Sequence, residues 1–123
     1  MSVWDEVVFH DESNIEFLDE LVDLEQEEIS TALEDSVILA LRYAEPGDVE
    51  FTNGLCAASV AAIWCGAPFS SAVIADEYPF VREFIGQCPD TLQEQASLLL
   101  DQELDSRGDD APEGLETFSE ALT

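Results

Sequence analysis

The residues able to do chemistry are few in kind and lopsided in number: one histidine, three cysteines, and 29 Asp and Glu against three basic residues. His10 alone supplies no two-histidine metal site and, with no cysteine motif around it, no Cys–His pair. Beside Asp11 it reads as a surface residue. Cys56, Cys65 and Cys88 are odd in number and form no C-x-x-C pattern, which argues against a zinc site or a disulfide framework. On one helix, Cys56 and Cys65 lie about 13 Å apart along the axis and on opposite sides, so they cannot bridge within it. All three cysteines read as small buried hydrophobes. Among so many carboxylates close pairs arise by chance, so pairing alone does not indicate acid/base or metal chemistry. The stretch from Asp105 to Glu116 has the length of a calcium loop, with Asp109 at its fifth position. Arg107 takes a ligand position there and Asp110 the place of the turn glycine, so a dedicated calcium site is not expected. No phosphate loop, nucleophile elbow or catalytic cysteine signature occurs, and the absence of lysine excludes Schiff-base chemistry. The expectation is no catalytic residue, no metal and no cofactor; an enzyme would need residues outside any recognisable motif.

The carboxylates matter collectively instead. The formal net charge is -26 over 123 residues. A folded monomer of this mass exposes ~6,500 Å², roughly one net negative charge per 250 Å². Ordinary solubility needs a net charge of only about 2 to 8, and the excess costs stability through self-repulsion. Nucleic acid and anionic membranes are poor direct partners for such a surface, because both are bound through Lys and Arg. A basic protein, or a salty environment, would offset the charge.

The densest run is Asp11, Glu12, Glu16, Asp19, Glu20, Asp23, Glu25, Glu27 and Glu28, with no basic residue between them. As one helix it would span about 26 Å, and Glu16, Glu20, Asp23 and Glu27 would crowd one stripe. Each like-charge pair then costs about 0.2 to 0.5 kcal/mol. The run reads as a ridge imitating a polyanion, with Asp11, Glu12, Glu16, Asp19, Glu20, Asp23, Glu27 and Glu28 as the residues touching a basic protein. The competing reading is a solvated helix face, as in proteins adapted to high salt.

The elements that would carry this face are helical. Ser13-Asn14-Ile15-Glu16 is a capping-box pattern, and the apolar spacing from Ile15 to Leu33 predicts helix from Ser13. A break is expected around Glu25 to Glu28, with helix resuming through Ile29 to Tyr43. Pro46-Gly47-Asp48 stops it and caps the next. The segment from Asp48 to Cys65, rich in alanine and flanked by no basic residue, predicts a central buried helix followed by a loop rather than a membrane span. Gly66 and Pro68 end it. A short helix is expected from Tyr78 to about Gln87, another from Pro89 through Leu100 to Leu104, then an acidic loop at Asp105–Asp110. A last helix from Glu113 to Leu122 forms a loosely docked tail over residues 106–123. Only Val3 to Phe9 alternates in the manner of a strand. The fold class is therefore all-α, a single-domain helical bundle around a central alanine-rich helix. The N-terminus has no basic or apolar leader pattern, so a cytoplasmic location is expected.

Val3-Trp4 followed by Phe9, Asp11 and Phe17-Leu18-Asp19-Glu20-Leu21 resembles the start of the bacterial family called domain of unknown function 4259. Its members tend to begin Gly-Thr-Trp-Gly, then Phe-Asp-Asn-Asp and an aromatic-Leu-x-x-Leu helix. Tyr43, the run Ala57-Ala58-Ser59-Val60-Ala61-Ala62 and the exit Gly66-Ala67-Pro68 are similar to that family's middle. The likeness covers roughly the first two-thirds of the chain. Asp5-Glu6-Val7-Val8 replaces the N-terminal glycines, and a tryptophan segment near the C-terminus is missing. The resemblance implies a small helical bacterial protein and carries over no catalytic residue. Residues and resemblance together lead to a non-enzymatic acidic binding protein, with a nucleic-acid mimic or an inhibitor or immunity protein as the sharper form of that expectation.

Overall fold

In the computed structural model, which describes residues 3–69 and 72–123, the helix α4 (Val49–Trp64) is surrounded by the others. Every residue from Gly54 to Trp64 is buried. A helix that is apolar on all sides can persist in a folded protein only where other elements cover all of it, and α1, α2, α3, α6, α7 and α8 all touch α4. The chain is all-α, and no strand occurs among the described residues.

The heart is a three-helix layer in which α3 (Gln26–Arg42), α4 and α7 (Asp90–Arg107) pack on one another. Ile29, Leu33, Val37 and Ala40 of α3 follow the i, i+4 and i+3 steps that line one helix face, and all four are buried. Leu92, Ala96, Leu99, Leu100 and Glu103 do the same on α7. The alanines and Gly54 of α4 let its neighbours approach closely.

The N-terminal segment departs from the strand expectation. Residues Trp4–His10 form a helix, α1, with Trp4, Val8 and Phe9 buried at i, i+4 and i+5. The alternation of valines and aromatics suggested period two, but the buried set follows helical spacing. Asp5 and Glu6 occupy the first turn, where the helix dipole favours negative charge.

Helix α2 spans Glu12–Leu21, and its cap is Asp11 rather than Ser13. The Asp11 carboxylate accepts from both the backbone N–H and the hydroxyl of Ser13. Leu24 N–H donates to Leu21 C=O at 3.0 Å, closing a turn, and Glu25 becomes the N-cap of α3. The break thus lies three residues before the expected one.

Between α4 and α7 the chain forms α5 (Ala72–Glu77) and the single turn α6 (Phe80–Glu83). The helix expected to reach Gln87 stops at Glu83, and α5 lies in a stretch read as loop. Ser70 and Ser71, part of that loop, and the initial Met1-Ser2 are outside the described residues. The helix α7 runs on through Arg107 and is followed by a 3-10 turn at Gly108–Asp110 and by α8 (Leu115–Ala121). Leu115, Phe118 and Leu122 are 0 to 2 % exposed. Gln93 Nε2 donates to Leu122 C=O at 3.0 Å, and the Ser119 hydroxyl donates to Asp101. The helix α8 and the residue after it are thus hydrogen-bonded to α7. Trp4 N–H donates to Glu113 C=O at 2.7 Å, so the first helix is tied to the last segment.

Candidate functional site

On α2, Asn14, Leu18 and Leu21 face inward, and the opposite face carries Glu12, Glu16, Asp19 and Glu20, all exposed. The turn adds Asp23 and Glu25, and the first turn of α3 adds Glu27 and Glu28, also exposed. The acidic run therefore occupies two helices and a turn instead of one 26-Å rod, and α2 itself is only about 15 Å long. Glu12, Glu16 and Glu20 share a stripe at i, i+4, but Glu27 belongs to another helix and does not extend it. A regular charge spacing like that of a nucleic-acid strand is lost with the rod.

Two of the expected contact residues have structural partners. Asp11 caps α2. Asp19 accepts a hydrogen bond from the Tyr78 hydroxyl, holding α2 to the turn before α6. Burial, then that hydrogen bond and the Asp19 charge, push the Tyr78 hydroxyl up to about 12.

The three arginines lie elsewhere. Each is in the last turn of a helix, Arg42 on α3, Arg82 on α6 and Arg107 on α7, where a cation meets the negative end of the dipole. Arg107 pairs with Glu103 at 2.9 Å, the one ion pair found among the described residues. Its guanidinium also stands 5.6 Å from the centre of the Trp4 ring, and that of Arg82 stands 6.0 Å from Phe69. Arg42 is at the far end of α3, about 22 Å along the axis from Glu27.

A residue the sequence reading passed over joins the face. Glu27, Glu28 and Asp35 line a shallow concavity of about 470 Å³ whose other walls include Leu24 and Ala32. Asp35 is eight positions after Glu27 and seven after Glu28, which puts it about two turns further on the same side. The helical spacing was the available signal, but five uncharged residues after Glu28 separate Asp35 and its neighbour Glu34 from the densest run.

The remaining candidates separate cleanly. Among the described residues no group of three or more His, Cys, Asp and Glu could hold a metal ion. Asp105 is inside α7, so the stretch to Glu116 cannot close as a calcium loop. His10 is exposed in the last turn of α1. Of the cysteines only Cys56 is fully buried; Cys65 and Cys88 are half-buried, so they are not the buried hydrophobes expected. The Cys88 thiol lies beside that of Cys65 on one concavity, a proximity that no spacing in the sequence announces. Among the described residues no helix is long and apolar enough to cross a membrane.

Comparison with known proteins found no match among curated proteins and none among solved structures. A family model does match, over residues 2–121, and so reaches well past the first two-thirds of the chain, through α7 and α8. With Trp4 and the alanine run of α4 both buried in one core, and the match extending nearly end to end, the chain belongs to the family described as domain of unknown function DUF4259.

Proposed function

We propose that this protein is a non-enzymatic binding protein whose acidic face, formed by α2, the turn at residues 22–25 and the start of α3, holds a basic protein partner. One observation carries the reading: Glu12, Glu16, Glu20, Asp23, Glu27 and Glu28 are exposed together, and the arginines are placed at other helix ends. Nothing on that face neutralises it internally, so a cationic surface from outside gains the full attraction. The concavity between Glu27, Glu28 and Asp35 suits a Lys or Arg side chain, whose aliphatic stem would lie on Leu24 and Ala32 while its head meets the carboxylates. Association would be fast through steering and would weaken steeply with salt. A partner that normally binds nucleic acid would be occupied by charge competition, without a regular phosphate-like spacing.

A second reading has its own support. Exposed acids also cover α7 and the segments after it, including Glu94, Asp101, Asp105, Asp109, Asp110, Glu116 and Glu120. An all-round coat of this kind fits solvation at high salt.

Affinity capture at low and moderate salt separates the two. The baits are wild type, a face variant (E16Q, E20Q, E27Q, E28Q) and a charge-matched control (E94Q, D105N, E116Q, E120Q). One basic protein retained by wild type and control but lost by the face variant is the expected result. Equal loss from both variants, or a salt-labile smear on all three baits, would sink the binding face and leave the charge as solvation.

A further inference from the structure

Cys65 and Cys88 come from distant parts of the chain and meet at the surface. Cys65 is the C-cap of α4, and Cys88 lies in the connection from α6 to α7. The backbone fixes the meeting point: Gly86 N–H donates to Trp64 C=O at 2.7 Å. Gly66 and Gly86 turn the chain beside it with φ of 108° and 90°, a region that L side chains rarely enter. The Cys88 thiol donates to the Pro89 carbonyl oxygen at 3.6 Å, with the Cys65 thiol beside it. Both thiols open onto a concavity of about 340 Å³ shared with Trp64, Ile85, Gln93 and Ala121. Cys56, sealed inside α4, does not line it.

We propose that Cys65 and Cys88 are a dithiol modification site that low-molecular-weight disulfides oxidise to an intramolecular cystine, linking the end of α4 to the entry of α7. The Cys65 thiolate attacks one sulfur of the small disulfide, forming a mixed disulfide and expelling one small thiolate. The Cys88 thiolate then attacks Cys65 Sγ, the Cys65–Cys88 bond forms, and the second small thiolate leaves. Two protein thiols are oxidised, one disulfide is reduced to two thiols, and the two protein protons end on the two leaving groups.

The surroundings set the order of attack. Burial raises the Cys65 thiol while the hydrogen bond from Cys88 acts to lower it. Cys88 is pushed up to about 12, by burial first and then by the Cys65 charge and hydrogen bond. Once Cys65 is in the mixed disulfide its charge is gone, and Cys88 is freed of one cause of its protonation. Exchange is therefore slow near neutral pH and accelerates as pH rises. The acidic surface also favours a cationic small disulfide over an anionic one.

The test is reduced protein treated with cystamine at mildly alkaline pH, read by intact mass and by peptide mapping. The expected product is a monomer about 2 Da lighter, with a Cys65–Cys88 cross-link and Cys56 still free. The variant C88S should stop as a stable cysteamine adduct on Cys65, and C65S should give no cross-link. Circular dichroism confirms that both variants keep their helices. A wild type that keeps three free thiols, accumulates the adduct without resolving it, or forms covalent dimers would overturn the assignment.

Discussion

Gly54 meets Ala40 where α4 crosses α3, and a methyl group added to Gly54 would stand 2.3 Å from Ala40 Cβ and 3.0 Å from the Ser36 carbonyl oxygen. No side-chain rotation relieves that contact, because one partner is a Cβ and the other is main chain. Gly54→Ala should therefore cost about 2 to 4 kcal/mol despite alanine's better helix propensity, as the two central helices are forced apart. Adding Ala40→Gly should recover part of the loss, giving a favourable coupling energy in a urea double-mutant cycle. A Gly54→Ala protein as stable as wild type would show that the helices are not in contact there.

Trp4 Nε1–H donates to Ser59 Oγ at 2.9 Å, and Ser59 in turn donates to Leu55 C=O at 2.7 Å, all of it buried. Ser59→Ala leaves the indole donor without its partner inside the core, so a loss of about 1 to 3 kcal/mol is expected. Trp4→Phe removes the donor as well as volume, and the double variant should lose less than the two single losses summed. Denaturation followed by far-UV circular dichroism measures all three variants on one scale.

Alkaline pH should unfold the protein through its thiols and Tyr78. Cys56, Cys65 and Cys88 are raised from an ordinary value of 9.0, and Tyr78 from 10.0 to about 12. The folded state holds these protons more tightly than the unfolded chain does. Their contribution is thus complete below about 9 and is lost as pH climbs towards 12. The urea midpoint of reduced protein, measured from pH 8 to 11, should fall above 9, and Tyr78→Phe should flatten the part that begins near 10. A midpoint unchanged to pH 11 would contradict the burial of these groups.

Relief of repulsion on α2 should be measurable. Glu16 stands between Glu12 and Glu20 at i±4 and three residues before Asp19, so Glu16→Gln removes three like-charge pairs and should stabilise the fold by about 0.6 to 1.5 kcal/mol at low salt. The gain should vanish at 1 M salt, where screening is nearly complete at these distances. Equal stability of both proteins at low salt would mean that the stripe is not crowded.

How far the sequence carried this structure depends on the range of the interaction. The central helix was legible nearly to the residue, expected at Asp48–Cys65 and found at Val49–Trp64, because its caps and its continuous apolar run are local signals. Trp4 was misplaced in a possible strand, since the valines beside it favour β structure in isolation, whereas burial against Ser59 and Glu113 decided for helix. The break in the ridge was expected only at Glu25 to Glu28 because the acids continue past residue 21 without interruption. The Leu21–Leu24 turn that breaks it has no proline or glycine to announce it. The Cys65–Cys88 meeting was not legible at all. It depends on a hydrogen bond between Gly86 and Trp64, residues with no local pattern in common.

The tie between Trp4 and Glu113 sets a timetable for the growing chain on the ribosome. At typical synthesis rates about 5 to 20 s separate the two residues. During that interval the first helix has been made, but the carbonyl that receives its backbone N–H and the helix Leu115–Ala121 have not. The large apolar face of Trp4, Val8 and Phe9 must wait against α2 and α4 until the segment around Glu113 emerges and closes on it.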